Sequence, residues 1–420
     1  MENQRQNAKW VWCAAVILAA AAFGGVPGFA GPLQDKPEHE KWAEDVDVLV
    51  EKLPELHINL FFKISEKKFR KKAAEFKQSL PELNEDEFQV GLSRLIASVG
   101  DSHTMLRPRI THAFPLMLYW FKEGIHVLNT LPEYQEALYG RIIKVHGRSV
   151  EEVIAAYRKI LPLENEAQLK SMVPQILASA PHLHGMNIIP DPETMKLTVE
   201  NEEGKTVSVE MKARPLGGAF KGIVDMSDSG DWPLYRQKRG QFYWFTFLKD
   251  EKALYFKYNS CRNSSAEPFS EFSQRLLSAV SDKPVEKLVI DLRNNGGGNS
   301  ALMDPLIEEL SQTEKVNQKG RLFVIIGRQT FSSAILNAIA LKKKTKAVLA
   351  GEPTGGKPNH YGEIRFFQLP HTKMVVTYST KYFTHAEKDT PSLMPDIPVE
   401  VTFQDYREGR DPFLEAVLKR

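Results

Sequence analysis

The chain has 420 residues, which is too many for one ordinary domain, so two or three domains are expected. Its hydrophobic fraction of 42% and its charged fraction of 26% are ordinary for a globular protein. The formal net charge of +2 is near balance and by itself argues neither for nor against a nucleic-acid partner. No long basic tract stands out, and no nucleic-acid partner is expected.

The N-terminus has the layout of a secretory signal peptide. Two basic residues precede an apolar run over residues 10–23, and the small residues Gly28 and Ala30 stand at positions −3 and −1 of a cut before Gly31. We therefore predict a signal peptide over residues 1–30 and an exported, secreted mature protein. The alternative is an uncleaved membrane anchor at residues 10–30, which would hold the protein near a membrane, but its apolar core is short for a span of about 20 residues.

The chain contains two cysteines, and Cys13 would be removed with the signal peptide. Cys261 would then be the single thiol of the mature protein, so no intrachain disulfide is expected. Its distance in sequence from any candidate base argues against a catalytic thiol.

Apolar residues within Trp42–Leu53 recur at helical spacing, and Pro54 is expected to end that helix. The segment Asn84–Glu87 is a capping box that opens a second amphipathic helix. Beyond residue 110 the pattern changes to short β-like runs with turns between them. We therefore predict a helical region over residues 31–110, a β-rich region over residues 111–215 and a third region over residues 216–420.

Three segments of the third region carry the features of one site. They are Leu288–Gly298, Thr330–Ala334 and Gly351–Lys357, and each follows an apolar run of strand length, namely Lys287–Asp291, Leu322–Gly327 and Ala347–Gly351. Between the last two runs, Ser333–Lys344 has the spacing of a helix. A strand–helix–strand crossover joins parallel strands, whose C-terminal ends share one edge of a sheet. The three segments are therefore predicted to converge in space.

Each candidate residue has a structural and a functional interpretation. Ser332 or Ser333 could cap the following helix, or one of them could be a nucleophile whose oxyanion is met by backbone N–H groups. Lys357 could be solvated, or it could be a general base if burial lowers its pKa. Asn294–Gly298 could be a tight turn or an oxyanion hole, since glycines let backbone N–H groups approach a ligand closely. His103, in Asp-Ser-His-Thr, could be structural, a base or a ligand-orienting group.

From about Val99 to Pro398, the chain resembles the carboxyl-terminal processing peptidases, also called tail-specific proteases. The resemblance rests on the Asp-Leu-Arg-Asn-Asn-Gly-Gly-Gly turn, the serine at a helix start and the Gly-Glu-Pro-Thr-Gly-Gly-Lys loop. Ser332 precedes Lys357 by 25 positions, the spacing of the catalytic serine and lysine in that family, so the resemblance implies a Ser332–Lys357 dyad. It further implies oxyanion donors at the backbone of Ser333 and Gly297. In tricorn-type relatives a histidine acts as the base, which leaves His103 as the alternative.

The resemblance also implies the fold. We expect an α/β core of crotonase-like (ClpP/crotonase) type, preceded by a helical N-terminal region and a β-rich, degenerate PDZ-like middle region. Only the segment Gly140–Val150 is similar to a PDZ strand and turn, and no clear loop for a substrate carboxylate is visible. The residue that orients Lys357 stays open between Glu352 and Glu363.

The expected function is that of an exported serine endopeptidase that hydrolyses protein or peptide substrates through an acyl-enzyme. No metal or organic cofactor is expected. The absence of a His-Glu-x-x-His zinc motif argues against a metalloprotease, and the absence of a Gly-x-Ser-x-Gly elbow argues against an α/β-hydrolase esterase. The alternative from another class is a catalytically silent protein that binds peptides or small ligands on the same fold. The sequence gives no indication of the oligomeric state.

Overall fold

The structure, a computed structural model, describes residues 37–223 and 232–420. The predicted signal peptide at residues 1–30, its cleavage site before Gly31, and Cys13 lie outside those ranges. The alternative membrane anchor at residues 10–30 also lies outside them. Within the described ranges, no helix is both long enough and apolar enough to span a bilayer.

Helices form the first part of the described chain: α1 (Glu38–Leu56), α2 (Glu66–Ser79) and α3 (Glu85–Ala97). Helix α1 buries the apolar residues that the spacing predicts, but the expectation that it ends at Pro54 is wrong. The helix continues past this proline, because the backbone N–H of His57 donates to the carbonyl of Leu53 and closes the last turn. The predicted capping box is confirmed, since Asn84 and Glu87 each bond the backbone of the other at the start of α3.

The middle part is rich in antiparallel strands. Its strands are β1 (Met105–Arg107), β2 (His112–Ala113), β3 (Leu116–Phe121), β4 (Gly124–Thr130), β5 (Arg141–Val145), β6 (Arg148–Ser149), β7 (Thr194–Glu200), β8 (Thr206–Lys212) and β9 (Arg214–Pro215). Its helices are α4 (Val150–Arg158), α5 (Glu166–Ile176), α6 (Ala180–Gly185) and α7 (Leu216–Ala219). One antiparallel sheet has the order β3-β4-β5-β7-β8 with β6 on β5, and β2 pairs with β9. Apolar residues of α4, α5 and α6, among them Val153, Leu169 and Leu183, pack on the sheet and form one core.

The last part contains a mostly parallel sheet. Its strands are β10 (Tyr243–Leu248), β11 (Ala253–Tyr258), β12 (Lys287–Asp291), β13 (Leu322–Ile326), β14 (Val348–Gly351), β15 (His360–Gln368), β16 (Val375–Phe383) and β17 (Ile397–Pro398). Its helices are α8 (Phe269–Asp282), α9 (Asp304–Gln312), α10 (Ser333–Lys344), α11 (Phe403–Arg407) and α12 (Pro412–Leu418). The sheet order is β10-β11-β12-β13-β14-β17, and every pair from β11 onward is parallel. The predicted strand–helix–strand unit β13-α10-β14 is thus confirmed.

This parallel sheet is buried on both faces, as expected when helices cover both sides. Successive side chains of a strand point to opposite faces. On one face, Leu288 and Ile290 of β12 pack against α8, α9 and α10. On the other face, Val289 and Phe323 pack against α12. The C-terminal strand ends are therefore held on a rigid layer, and the loops that leave them are fixed in position.

Strands β15 and β16 do not join the parallel sheet. They form an antiparallel hairpin that adds β1 on the other side, in the order β1-β16-β15. One face of this small sheet, with Leu106, Val376 and Tyr378, packs in one core with Trp42 and Leu49 of α1. A hairpin from the last part of the chain is thereby fixed to the first. The region boundaries at residues 110 and 215 stay a prediction.

Candidate active site

The three predicted segments meet at one edge of the parallel sheet, as expected. The backbone N–H of Phe331 donates to the carbonyl of Asn295 at 3.0 Å, which joins the glycine turn to the serine segment. The N–H of Gly355 donates to the carbonyl of Thr330 at 3.1 Å, which joins the Gly-Gly-Lys loop to the same segment. The convergence follows directly from parallel pairing of β12, β13 and β14.

Ser332 has an unusual backbone for its position. It stands at the N-cap of α10 with φ 49° and ψ −126°, and its side chain makes no capping hydrogen bond. A non-glycine residue in this part of φ/ψ space stores on the order of 1–3 kcal/mol of strain. The neighbouring hydroxyl of Ser333 is committed, since it donates to the carbonyl of Gly298 at 2.7 Å. Side-chain capping therefore does not explain the position of Ser332, a half-buried residue.

Gly297 lies directly against the two serines. A Cβ atom at this glycine would lie 2.9 Å from Cβ of Ser332 and 3.0 Å from the backbone N of Ser333, and its φ is 106°. Only glycine fits such a position. The N–H of Ser333 opens α10, where a backbone donor has no partner within its own helix. The N–H of Gly297 donates to Oδ1 of Asn295 at 2.9 Å, so the oxyanion hole at Gly297 and Ser333 stays a prediction.

Buried ion pairs fix the position of the glycine turn, Asn294–Gly298. Nζ of Lys257 lies 3.1 Å from Oδ1 of Asp291 and donates to Oδ1 of Asn294 at 2.9 Å. The guanidinium of Arg293 donates two hydrogen bonds to Asp411, just before α12, at 2.6 and 3.0 Å. Burial lowers the pKa of Lys257 to about 8, although Asp291 opposes that shift. The Asp-Leu-Arg-Asn-Asn part of the motif is thus a structural support for the turn.

Lys357 is not paired with Ser332 in this structure. Its Nζ donates to Oδ2 of Asp389 at 2.5 Å, and about a quarter of its side chain, 26%, is exposed. No hydrogen bond among the described residues joins it to Ser332. The expectation that Glu352 or Glu363 orients the lysine is not met: Asp389 is its carboxylate partner, and Glu352 instead pairs with Arg328.

His103 is buried beside the nucleophile segment. Its ring stacks on Phe331, the residue before Ser332, with the ring centroids 4.6 Å apart, and on His360 at 5.5 Å. Its Nδ1 lies 3.4 Å from Oγ of Ser102, whereas its Nε2 is buried with no hydrogen-bond partner among the described residues. Burial lowers the pKa of His103 to about 4, against the opposing charge of Asp101. The imidazole is therefore neutral at pH 7.

Asp101 organises the groups around His103. It accepts hydrogen bonds from the backbone N–H of His103 at 2.9 Å, from the hydroxyl of Ser379 at 2.7 Å and from the hydroxyl of Thr104 at 2.5 Å. Nε2 of His57 lies 3.0 Å from its second oxygen. Burial by itself would raise the pKa of Asp101, but the hydrogen bond with His57 and the charge of His103 lower it to about 2. A fixed negative charge thus lies beside the imidazole.

Glu164 is a site residue that the sequence did not indicate. Its carboxylate accepts the backbone N–H of Lys357 at 3.0 Å and is hydrogen-bonded to the side chain of Ser102. Burial raises its pKa to about 7, although the hydrogen bond from Lys357 opposes that shift. Glu164 lies in the loop before α5, 193 positions from Lys357, and no motif surrounds it. Neither periodicity nor spacing could have found this contact.

Cys261 has a structural role at the glycine turn and is not a candidate nucleophile. Its backbone N–H donates to the carbonyl of Gly297 at 3.0 Å. Its thiol is buried, and burial raises its pKa to about 12, so it is no thiolate nucleophile at neutral pH. Across the described ranges, no group of three or more His, Cys, Asp or Glu side chains is arranged to hold a metal ion.

The profile of peptidase family S41 matches residues 304–399, a stretch that contains Ser332, Lys357 and Asp389. This part of the chain is similar to peptidase family S41. The resemblance to the carboxyl-terminal processing peptidases is confirmed, and the chain is a serine-type peptidase. No curated protein matches this sequence.

Solved structures resemble this chain in fold over most of its length. Mature CPAF complexed with lactacystin is 16% identical, with 91% of this chain and 97% of that chain covered and a TM-score of 0.65. Another structure of mature CPAF is also 16% identical, with 90% of this chain and 96% of that chain covered and a TM-score of 0.64. The photosystem II D1 C-terminal processing protease is 14% identical, with 92% of this chain and 97% of that chain covered and a TM-score of 0.39. The two CPAF structures show a shared α/β fold with a helical N-terminal part and β-rich sheets.

Proposed function

We propose that this chain is an exported serine endopeptidase that cleaves polypeptides through an acyl-enzyme on Ser332, with His103 as the general base. The observation that carries the proposal is one juxtaposition. A strained serine with an uncommitted hydroxyl follows Phe331, and a buried, neutral imidazole with a free Nε2 stacks on that phenylalanine.

The protonation state of His103 and the contacts of Lys357 favour His103 as the general base. A general base has to be unprotonated before it acts, and burial keeps His103 neutral at pH 7. Lys357 instead forms an ion pair with Asp389, and no hydrogen bond among the described residues joins it to Ser332. The 25-residue spacing still supports the Ser332–Lys357 dyad, which we keep as the second candidate. In the His103 mechanism, Lys357 has a structural role, because its backbone ties the loop to Glu164.

The reaction then proceeds in two halves. Ser332 Oγ attacks the scissile carbonyl while Nε2 of His103 takes its proton, and the N–H groups of Ser333 and Gly297 receive the oxyanion. For Gly297 this requires its N–H to leave Oδ1 of Asn295. The new imidazolium lies 3.9 Å from the carboxylate of Asp101, which stabilises the positive charge. His103 returns the proton to the leaving amine, and water hydrolyses the ester.

A covalent serine probe tests the nucleophile. A fluorophosphonate should label the wild type and not Ser332→Ala. The Ser311→Ala variant, which removes a half-buried serine on α9, should label normally. Labelling of neither the wild type nor the control would favour the alternative function, a catalytically silent protein that binds peptides or ligands.

Paired alanine variants test the base. His103→Ala should lower kcat by about 10²- to 10⁴-fold, the usual contribution of a general base. Lys357→Ala should lower it by less than about tenfold, because a structural role tolerates the loss better than a catalytic one. The matched controls are His182→Ala, which removes another buried neutral histidine, and Lys342→Ala, which removes another lysine paired with an aspartate at 2.5 Å. A larger loss of kcat in Lys357→Ala than in His103→Ala would show that Lys357, and not His103, is the general base.

We extend the proposal to the regions around the site. The segment 216–420 is proposed as a crotonase-like core, 111–215 as a degenerate PDZ-like region and 31–110 as the helical region. We also propose cleavage of the signal peptide before Gly31. N-terminal sequencing of the protein from a native host should begin near Gly31, and a retained Met1 in the membrane fraction would support anchoring by residues 10–30 instead.

A further inference from the structure

Two apolar side chains of strand β15 are unusually exposed. Ile364 is 49% exposed and Phe366 is 69% exposed. They stand two residues apart, so both point to the same face of the strand. Neighbouring exposed apolar groups of this kind mark binding surfaces more often than scattered single ones do.

This face of the hairpin is continuous with the candidate active site. In the antiparallel pairing, Ile364 lies opposite Ser379 and Phe366 lies opposite Thr377, and opposed residues share a face. The hydroxyl of Ser379 donates to Asp101, and the hydroxyl of Thr377 donates to the carbonyl of His103. Ile364 and Phe366 are therefore on the face of the sheet whose hydroxyl groups bond Asp101 and His103. The opposite face is the one that packs on the N-terminal helices.

Strand β15 also has a free edge. It pairs with β16 alone among the described strands, so its outer backbone N–H and C=O groups face no strand. The strand begins at His360, whose ring stacks on His103. At about 3.3 Å per residue, Ile364 and Phe366 lie roughly 13 and 20 Å from that point. An unprotected edge that starts at a peptidase site is a ready template for an extended polypeptide.

We propose that β15 is the docking strand for the polypeptide substrate. The substrate main chain pairs with the free edge, and its apolar side chains, several residues from the scissile bond, pack on Ile364 and Phe366. The enzyme then prefers extended segments with apolar residues at alternate positions. This inference rests on the proposed function, because it places the scissile bond at Ser332.

The test measures binding separately from catalysis. The probe is a fluorescein-labelled peptide of about 14 residues with Leu at alternate positions, long enough at about 3.3 Å per residue to reach from Ser332 past Phe366. The Ser332→Ala protein should bind this peptide, and adding Ile364→Ser and Phe366→Ser should raise the Kd about tenfold or more. The same peptide with Ser in place of Leu should bind weakly to both proteins. The matched control is Leu56→Ser, an exposed apolar residue at the end of α1.

Backbone pairing has its own signature. Single N-methyl groups along the peptide should weaken binding at every second position, since alternate N–H groups of an added strand face its partner. An even effect at all positions would refute the strand-addition geometry.

The outcomes separate this inference from the proposed function. Failure of fluorophosphonate to label the wild type counts against Ser332 chemistry, yet the peptide titration still reports on β15. An unchanged Kd in the Ile364→Ser, Phe366→Ser protein, with an unchanged thermal melt, overturns the docking strand. If those substitutions instead turn a sedimenting dimer into a monomer without changing peptide binding, the surface is covered by a second copy and our inference is wrong.

Discussion

Ser332 differs at the level of a single residue from Ser65 and Ser149, two serines that cap helices in this chain. Ser65 and Ser149 have extended backbones, and each accepts a hydrogen bond from the third residue of its helix. Ser332 has a positive φ and accepts no such bond. Serine is a favoured N-cap residue, but the hydroxyl of Ser332 does not cap α10, and its backbone is strained. A strained residue with an unused functional group is what a nucleophile position is expected to look like.

This contrast predicts opposite effects of glycine at two serines. Ser332→Gly should raise the free energy of unfolding by about 0.5–1 kcal/mol, because relief of the positive φ exceeds the extra entropy of glycine in the unfolded chain. Ser65→Gly should lower it by a few tenths of a kcal/mol, since it removes a working cap. Urea unfolding of the two variants and the wild type checks this. A loss of stability at Ser332→Gly equal to that at Ser65→Gly would mean that Ser332 is not strained.

At the scale of elements, the start of α5 holds two loops of the site. Nδ2 of Asn165, its N-cap residue, donates to the carbonyls of Thr354 at 3.1 Å and Pro391 at 2.6 Å and to the hydroxyl of Ser392 at 2.8 Å. Thr354 precedes Lys357, and Pro391 follows Asp389. One amide from the middle part of the chain therefore fixes both partners of the Lys357–Asp389 pair.

Asn165→Ala should loosen these loops without unfolding the protein. We expect kcat/KM to fall about 10-fold, in line with the effect of small displacements of catalytic geometry. The free energy of unfolding should fall by about 1–3 kcal/mol, because a helix cap and buried acceptors lose their partner. Gln175→Ala is the control, since Gln175 lies on the same helix and its amide bonds only to Ser171. Peptide hydrolysis and thermal melts measure both effects, and equal activity of the two variants would contradict a role for this contact.

What the sequence predicted at this scale was local. The bounds of β12 and α10, the capping box at Asn84 and the meeting of the three loops all follow from periodicity, cap chemistry and parallel pairing. The contacts of Asn165 and Glu164 with the C-terminal loops, and the packing of the β15–β16 hairpin on α1, join residues some 190 to 330 positions apart. Tertiary packing sets such contacts, and no single-sequence pattern carries them.

On the scale of the whole molecule, the candidate site draws on every part of the described chain. His103 follows the N-terminal helices, Glu164 belongs to the middle part, and Ser332 follows a strand of the parallel sheet. The hairpin connects the first and last parts through Asp45, whose carboxylate accepts the backbone N–H groups of His371 and Thr372 at 2.9 Å each. The site therefore forms only when all three parts of the chain are packed together. Weakening a contact between these parts should also lower the catalytic activity.

The same assembly predicts how stability responds to mild acid. Burial lowers the pKa of both His103 and His182 from 6.5 to about 4, so the stability from their neutral forms is complete above pH 6.5 and is lost as the pH falls toward 4. Burial raises the pKa of Glu164 from 4.5 to about 7, so its contribution is complete below pH 4.5 and is lost as the pH rises through 7. Burial also lowers the pKa of His126, His360 and His385, so between pH 6.5 and 4.5 several histidines oppose one glutamate. The wild type should lose stability over this window, by on the order of 2 kcal/mol net.

Variants of these groups make the prediction specific. Glu164→Gln removes the compensating group and should steepen the loss, whereas His182→Asn removes one opposing group and should flatten it. Urea midpoints at pH 6.5, 5.5 and 4.5 measure the slopes, provided that the dependence of the unfolding free energy on urea concentration is the same at each pH. The sign is the decisive part, because a folded state that binds fewer protons than the unfolded state must lose stability as protons are added. A Glu164→Gln slope equal to that of the wild type would show that this carboxyl group is ionised throughout the window, and the buried hydrogen bond between Glu164 and Ser102 would then involve a charged acceptor next to Asp101.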